Sequence, residues 1–268
     1  MKKIFLCFTA LTLIFLVACA PKAATSDKKK NVETIIVGTG TQYPGICFID
    51  ENGKLTGYDI EVIRAIDKKL PQYNFEFKTM DFANLLTSLG ANKIDMIAHN
   101  MAKNKEREEK FLFNNEPYNY SPLYITVAKD NNDVKSIKDL DGKKVVVSAT
   151  SNAADYVTEY NKKNGNKIEI AYAGQGSNDT ANQLKNGRAD ATLSTPFAVK
   201  HQNDTSSIKE KVVGDILLDT KVYFVFPKQK TDLSKAVDTA IKELSTDGTL
   251  KKLSKRWLGD DYSKSSFK

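Results

Sequence analysis

Cysteine is nearly missing from this chain. Of three cysteines in 268 residues, Cys7 and Cys19 fall in or at the end of an apolar leader, so Cys47 stands alone in the remainder. A single thiol cannot close an intramolecular disulfide. Histidine is as scarce, with only His99 and His201. One cysteine and two histidines do not furnish a metal site, so no metal is expected, and no cofactor motif suggests one of those either. Neither a Ser-His-Asp spacing nor a pair of spaced carboxylates emerges, which argues against an enzyme because acid/base catalysis needs such groups. No long apolar run follows the leader, so a partner within a membrane would be a separate chain. A basic stripe interleaved with aromatics is missing too. The net charge of +7 (40 Lys+Arg against 33 Asp+Glu) comes partly from Lys2 and Lys3 and from Lys28, Lys29 and Lys30. The other basic residues are mixed with acids, so nucleic acid is not an expected partner. Mild attraction to an anionic surface stays open.

What is present suffices for two lobes. The length allows each to bury its own core, and 41% hydrophobic with 27% charged residues is ordinary for a globular protein. Residues 1–18 read as a signal peptide, with Lys2-Lys3 ahead of the apolar run Ile4 to Val17. That run ends Leu16-Val17-Ala18-Cys19, which resembles the lipobox of bacterial lipoproteins. The resemblance implies cleavage before Cys19, lipid on its sulfur and new amino group, and a place on the extracytoplasmic face of the cell membrane. Multiple acyl chains anchor firmly where one short chain does not. Residues 19–31 form a polar Lys- and Ala-rich tether.

From Val32 onward strands and helices alternate. Thr34 to Val37 is a β-branched run before Gly-Thr-Gly-Thr, and Glu51-Asn52-Gly53-Lys54 is a hairpin turn. Asp59 is expected to cap a helix with Val62, Ile63, Ile66 and Leu70 inward, and Asp81 the next, with Leu85, Leu86 and Leu89 inward. Further strands are expected at Leu123 to Ala128, Val145 to Val147, Ile168 to Ala171, Val212 to Leu218 and Val222 to Phe226. Amphipathic helices are expected at Leu233 to Leu244 and Leu250 to Leu258. The order predicts an α/β fold with largely parallel sheets.

The most informative stretch is Lys93 to Arg107. Leu89 is followed by Lys93-Ile94-Asp95, and Leu184 at the same spacing by Arg188-Ala189-Asp190. Each Asp precedes a short strand and then polar residues, His99-Asn100 or Ser194-Thr195. One helix-turn-strand unit is built twice. Two copies are too few for a solenoid, and two similar lobes fit better. Ligands in such sheets sit beyond the carboxyl ends of the strands, which puts both polar tails across one cleft.

Gly57-Tyr58-Asp59-Ile60-Glu61-Val62, with Ile66 and Leu70 after it, resembles the signature of the bacterial extracellular solute-binding proteins of family 3, the receptors of amino-acid ABC importers. Asp67 departs from it, where a small residue is usual. The likeness continues through Asp247-Gly248-Thr249-Leu250 and Trp257-Leu258-Gly259, covering nearly all of residues 32–262. Gly174 to Thr180 and Arg188-Ala189-Asp190-Ala191-Thr192 look most like L-cystine-binding lipoproteins of Gram-positive bacteria. The resemblance implies a two-lobed periplasmic-binding-protein-like fold of type II, with lobe 1 from residues 32–121 plus 222–268 and lobe 2 from 122–221. It implies a monomer that closes on L-cystine or a related sulfur-containing amino acid and serves an ABC permease. A receptor for another polar amino acid is the alternative, a dehydratase on the same fold a remoter one.

Candidate ligand contacts follow from that likeness. Arg107, twelve residues after Asp95, matches the cleft arginine, whose planar fork grips a carboxylate. On its own, among Lys105, Glu106, Glu108 and Glu109, it would read as a solvated charge. Phe82 falls at an aromatic wall position and reads equally well as a core ring, and Tyr43 falls opposite. Asn100 and Ala102 match positions that bond the ligand backbone, Ala102 only through its own main chain. His99 beside them reads as structural. Ser151 and Asn152 open a helix whose free N–H groups suit an anion as well as simple capping. Thr195 stands where the family usually has an acid for the ligand ammonium, so another acid substitutes or the ligand turns. Cys47, between Ile46 and Phe48, reads as an inert core thiol rather than a partner in disulfide exchange.

Overall fold

A computed structural model describes residues 32–174 and 179–265. The expected leader, the Cys19 lipidation site, the tether and part of the 174–179 loop lie outside the described residues. Strands β1 (Glu33–Thr39), β5 (Tyr73–Thr79) and β6 (Met96–Ala102) are linked by α1 (Tyr58–Lys69) and α2 (Phe82–Gly90). A small antiparallel sheet, β2 (Gln42–Tyr43), β3 (Cys47–Ile49) and β4 (Leu55–Thr56), sits between β1 and α1. The short helix α3 (Lys105–Lys110) and β7 (Leu112–Phe113) lead into β8 (Asn119–Ala128). A 3-10 turn at Ile137–Leu140, capped by Ser136 and Asp139, precedes the second βα series. It comprises β9 (Lys144–Val147), α4 (Asn152–Asn164), β10 (Glu169–Tyr172), α5 (Asp179–Lys185), β11 (Ala191–Ser194) and α6 (Pro196–Thr205). The long strand β12 (Glu210–Phe226) returns the chain to α7 (Thr231–Thr246) and α8 (Thr249–Leu258).

The main sheet runs β10-β9-β11-β8-β12-β6-β1-β5, with β7 also on β12. It is mixed rather than largely parallel. Pairs β1–β5, β1–β6, β9–β10 and β9–β11 are parallel, but everything touching β8 and β12 across the middle is antiparallel. These two strands cross from one end of the sheet to the other, paired to each other twice with a register shift between Val213 and Leu218. Apolar residues therefore segregate into cores at each end. Ile35, Val37, Ile63, Ile66, Val237, Ile241 and Leu250 pack on one face of the β1–β6 end, Leu85, Leu89, Ile94 and Ile97 on the other. At the far end, Val145, Val147, Val157 and Leu140 fill one face, and Val146, Leu184 and Ala189 the other.

The repeat in the sequence has a matching geometry. Asp95 donates its N–H to the Ile36 carbonyl and accepts the Ile36 N–H on its carboxylate (2.8 and 2.9 Å), closing β6 onto β1. Asp190 does the same with Lys144 (2.8 and 2.8 Å), closing β11 onto β9. An acid at that spot satisfies a strand-end N–H while the turn supplies the reciprocal bond.

Asp59 does not cap α1. Gly57 is the N-cap, at φ +119, and a Cβ there would lie 2.4 Å from the Ile46 carbonyl oxygen. Glycine is required by both conformation and space. Asp59 instead turns inward, fully buried.

Candidate functional site

The carboxyl ends of β6, β9 and β11 converge on a cavity of about 410 Å³ between the two ends of the sheet. Arg107, Tyr43, Phe82, Asn100, Ser151, Asn152 and Thr195 all line it. Ala102 does not: it is buried beside the cavity, and its carbonyl accepts from Arg107 Nη1 at 2.8 Å. Its carbonyl thus helps to position the arginine.

Arg107 is held in the short helix α3. Asn104 caps α3 by accepting the Arg107 N–H at 2.9 Å. Arg107 is only 5% exposed, and its guanidinium reaches across to the β9–α4 connection. Nη2 donates to the Thr150 carbonyl at 2.6 Å and Nη1 to Asn152 Oδ1 at 3.5 Å. Three of five N–H donors are used among the described residues, leaving Nε–H and one Nη2–H, from the two nitrogens that form one side of the fork. No carboxylate of the described residues lies within ion-pair distance of it. Burial lowers its pKa, with Asp155 and Glu106 pulling the other way from farther off. A buried guanidinium with part of its fork unfilled can take a planar anion.

Around Asn100 the chain is bent into the left-handed region (φ 49), which asparagine tolerates better than most residues. Its side chain is spent on the scaffold: Nδ2 donates to Tyr43 Oη (3.3 Å) and Ser121 Oγ (3.1 Å), and Oδ1 accepts from Asn119 (2.9 Å). The Asn100 N–H donates to Asp59 Oδ2 at 2.6 Å, and Tyr118 Oη donates to the same oxygen at 2.8 Å. Burial pushes the Asp59 carboxyl up to about 7, against those two bonds. Asp59 thus braces the cleft from behind.

His99 is the centre of the aromatic wall. Its ring centroid is 4.9 Å from Phe82 and 5.7 Å from Tyr43. Burial lowers its pKa to about 4, so the imidazole is neutral at physiological pH. A Cβ on Gly40 would come within 2.6 Å of Nε2, so the ring fits because residue 40 has no side chain. Tyr43 also faces Phe197 of α6 at 6.4 Å, which brings the two ends of the sheet into contact.

On the opposite wall, Ser151 caps α4, accepting from Ala154 N–H at 3.2 Å. Thr195 caps α6 by accepting from Ala198 N–H at 3.3 Å, and it is 2% exposed. It presents no charge to the cavity. Glu210 does reach the cavity, 7% exposed, its carboxyl pushed up to about 7 by burial. Cys47 is fully buried behind the wall with its thiol pushed up to about 12, chiefly by burial. His201 packs edge-on against Phe48 at 5.0 Å, away from the site.

His99, Gly40, Asp59 and Glu210 carry weight that sequence reasoning did not give them. Only the Gly-Thr-Gly-Thr turn offered a signal, since glycine before a cleft residue marks close backbone approach.

Comparison with known proteins adds to this geometry. The bacterial extracellular solute-binding proteins, family 3, match residues 35–260. The L-cystine-binding protein TcyJ of Bacillus subtilis (strain 168) is 65% identical over 238 residues, covering 89% of this chain and 88% of the relative. TcyK of the same organism, also named an L-cystine-binding protein, is 56% identical over 267 residues, 99% of each. A Listeria monocytogenes structure provisionally named an L-cystine ABC transporter superposes with TM-score 0.82 at 64% identity, covering 87% of this chain and 99% of that one.

Proposed function

The chain belongs to the bacterial extracellular solute-binding proteins of family 3, and on that footing we propose that it captures L-cystine and delivers it to an ABC permease. One observation carries the reading: a buried arginine keeps two donors of its fork in a cleft walled by Tyr43, His99 and Phe82. A ligand carboxylate completes that fork, and the rings pack against a disulfide side chain, a polarizable surface that aromatic edges favour. The 65% identity to an L-cystine-binding protein supports the same cargo.

Closure joins two lobes, residues 32–121 plus 222–268 against 122–221, hinged where β8 and β12 run side by side. Arg107 links the lobes through Thr150 and Asn152, and Asn104 Nδ2 adds a bond to Asp155 at 3.0 Å. Ligand binding adds to those contacts and shifts the population toward the closed form. The protein works as a monomer held to the extracytoplasmic face of the cell membrane by lipid on Cys19, and it releases its cargo unaltered.

The test is a thermal-shift panel of amino acids followed by calorimetric titration. L-cystine raises the melting temperature by mass action, and intact cystine is recovered afterwards. No shift with L-cystine, beside a clear shift with another amino acid, reassigns the cargo. Cys19→Ala tests the anchor separately, since the variant is released into the medium.

A further inference from the structure

Helix α8 turns its inner side into the core of the β1–β6 end through Leu250 and Leu258, with Leu253 and Trp257 half-buried beside them. Every fully exposed position of the helix is a cation: Lys251, Lys252, Lys255 and Arg256. No carboxylate of the described residues lies within ion-pair distance of any of them. The acids that flank the helix are engaged in turns of their own. Asp247 holds Lys69 at 3.2 Å and accepts the Thr249 N–H at 2.9 Å. Asp260 and Asp261 accept the N–H groups of Asp261 and Ser263 at 2.7 and 3.2 Å.

This arrangement works against the helix that carries it. Lys251 with Lys255, and Lys252 with Arg256, are like charges four residues apart, a spacing that destabilises a helix. Lys251 and Lys252 also stand in the first turn, where the positive end of the macrodipole repels a cation. Glutamate has nearly the helix propensity of lysine and suits a first turn better. Helix formation therefore does not account for four cations; an external anion does.

The character of the face separates one anionic partner from another. Protein interfaces are depleted in lysine and centred on aromatic or apolar anchors. The outer face of α8 has three lysines, one arginine and no fully exposed apolar side chain. That suits a diffuse plane of negative charge, which attracts each nearby Lys or Arg within a Debye length. Thirteen residues, Cys19 to Asn31, separate the expected lipid from the described chain, a span of at most about 45 Å. The described chain starts beside Lys230, which Glu33 pairs at 3.0 Å, and the 16 residues of α7 lead from there to the turn before α8, about 24 Å. A tether of that length permits α8 to reach the bilayer.

We propose that the outer face of α8 docks on the phosphate headgroups of an anionic bilayer. Docking there holds the β1–β6 end of the sheet and leaves the other end free to close on cargo. The inference rests on the lipid-anchor reading above only for where the bilayer lies.

The experiment takes the full mature chain carrying Cys19→Ala, so that no acyl chain contributes, and sediments it with vesicles of phosphatidylcholine alone or of phosphatidylcholine with phosphatidylglycerol. This parent chain partitions onto the anionic vesicles at low salt at least tenfold more strongly than onto the neutral ones, and high salt releases it. Adding Lys251→Gln, Lys252→Gln, Lys255→Gln and Arg256→Gln together weakens partitioning at least tenfold. Adding Lys129→Gln, Lys135→Gln, Lys138→Gln and Lys163→Gln, the same change of net charge at exposed lysines elsewhere, weakens it less than threefold. Equal weakening by the two sets makes net charge the cause and overturns the inference, as does an α8 variant that binds within threefold of the parent. A parent chain with no preference for the anionic vesicles overturns it too, independently of how any variant folds. Failure of the anchor reading is a separate outcome, seen when the chain that keeps Cys19 is released into the medium.

Discussion

Replacing Arg107 separates the binding role of this residue from its structural one. The two donors left on its fork would each make a charge-assisted hydrogen bond to a carboxylate, worth about 1.5–3 kcal/mol net. Losing about 3 kcal/mol in all, at 1.4 kcal/mol per decade, weakens L-cystine binding by about two orders of magnitude in Arg107→Ala. Arg107→Lys keeps the charge but not the planar fork, and its loss is nearer tenfold. Stability behaves differently. The alanine variant gives up bonds to Ala102 O, Thr150 O and Asn152 Oδ1, but it also removes a buried cation that Asp155 and Glu106 offset only partly, from beyond ion-pair distance. These effects oppose each other, so the unliganded melting temperature moves by no more than about 4 °C, while the shift produced by cystine disappears. Calorimetry and thermal melts of the three proteins provide the check. Binding by Arg107→Ala within threefold of wild type would refute the assignment of the fork to the ligand carboxylate.

Other perturbations follow from the same contacts. Gly40→Ala drives a methyl group into the His99 ring, which Phe82 and Tyr43 flank; about 1–3 kcal/mol of stability is lost to overpacking, and cystine affinity falls, both measurable by denaturant melts and titration. Asp59, raised to about 7 by burial, stays protonated in the folded chain while the unfolded carboxyl ionises near 4. Its stabilising contribution is complete below about pH 4 and is lost as pH rises to about 7. The advantage of wild type over Asp59→Asn therefore shrinks by about 1 kcal/mol per pH unit across that window, and parallel stability curves would contradict this. His99 has the opposite sign: lowered to about 4, it withdraws stability as pH falls from about 6.5, a loss that His99→Gln abolishes. Cys47, buried with a raised pKa, reacts with aromatic disulfide reagents only after denaturation, and native protein incubated with cystine carries no mixed disulfide by mass spectrometry.

The alternation of helix and strand was readable because each local stretch shows its own period. The Asp95 and Asp190 repeat was readable too, since both acids close neighbouring strands through reciprocal bonds. What sequence could not show was length across the middle. Pro117 to Pro122 looks like a turn, yet Asn119–Ala128 is one strand, because β12 pairs along its whole length. Likewise Glu210–Phe226 reads as two strands, Val212 to Leu218 and Val222 to Phe226, until its partner is known. Asp59 has the sequence of a helix cap, and only Asn100 and Tyr118, 41 and 59 residues away, reveal it as a buried acceptor. Glu210 sits between Lys209 and Lys211, a context that suggests a solvated charge; the face it occupies is set by Ala128 on another strand. Of the candidate contacts, seven line the cavity and Ala102 stands behind it.

Buried charge without compensation is what separates the cleft from the rest of the molecule. Elsewhere the acids and bases pair on the surface, as Lys69 does with Asp247 and Lys167 with Asp141, contacts of small energetic consequence. In the cleft, Arg107 is buried with no carboxylate of the described residues within ion-pair distance, and its fork is only partly filled. On the proposed reading, a ligand with no carboxylate leaves that fork buried and unfilled, which is a penalty rather than a smaller gain. Discrimination by charge would then follow from electrostatics, with the rings of Tyr43, His99 and Phe82 bearing on what the carboxylate is attached to.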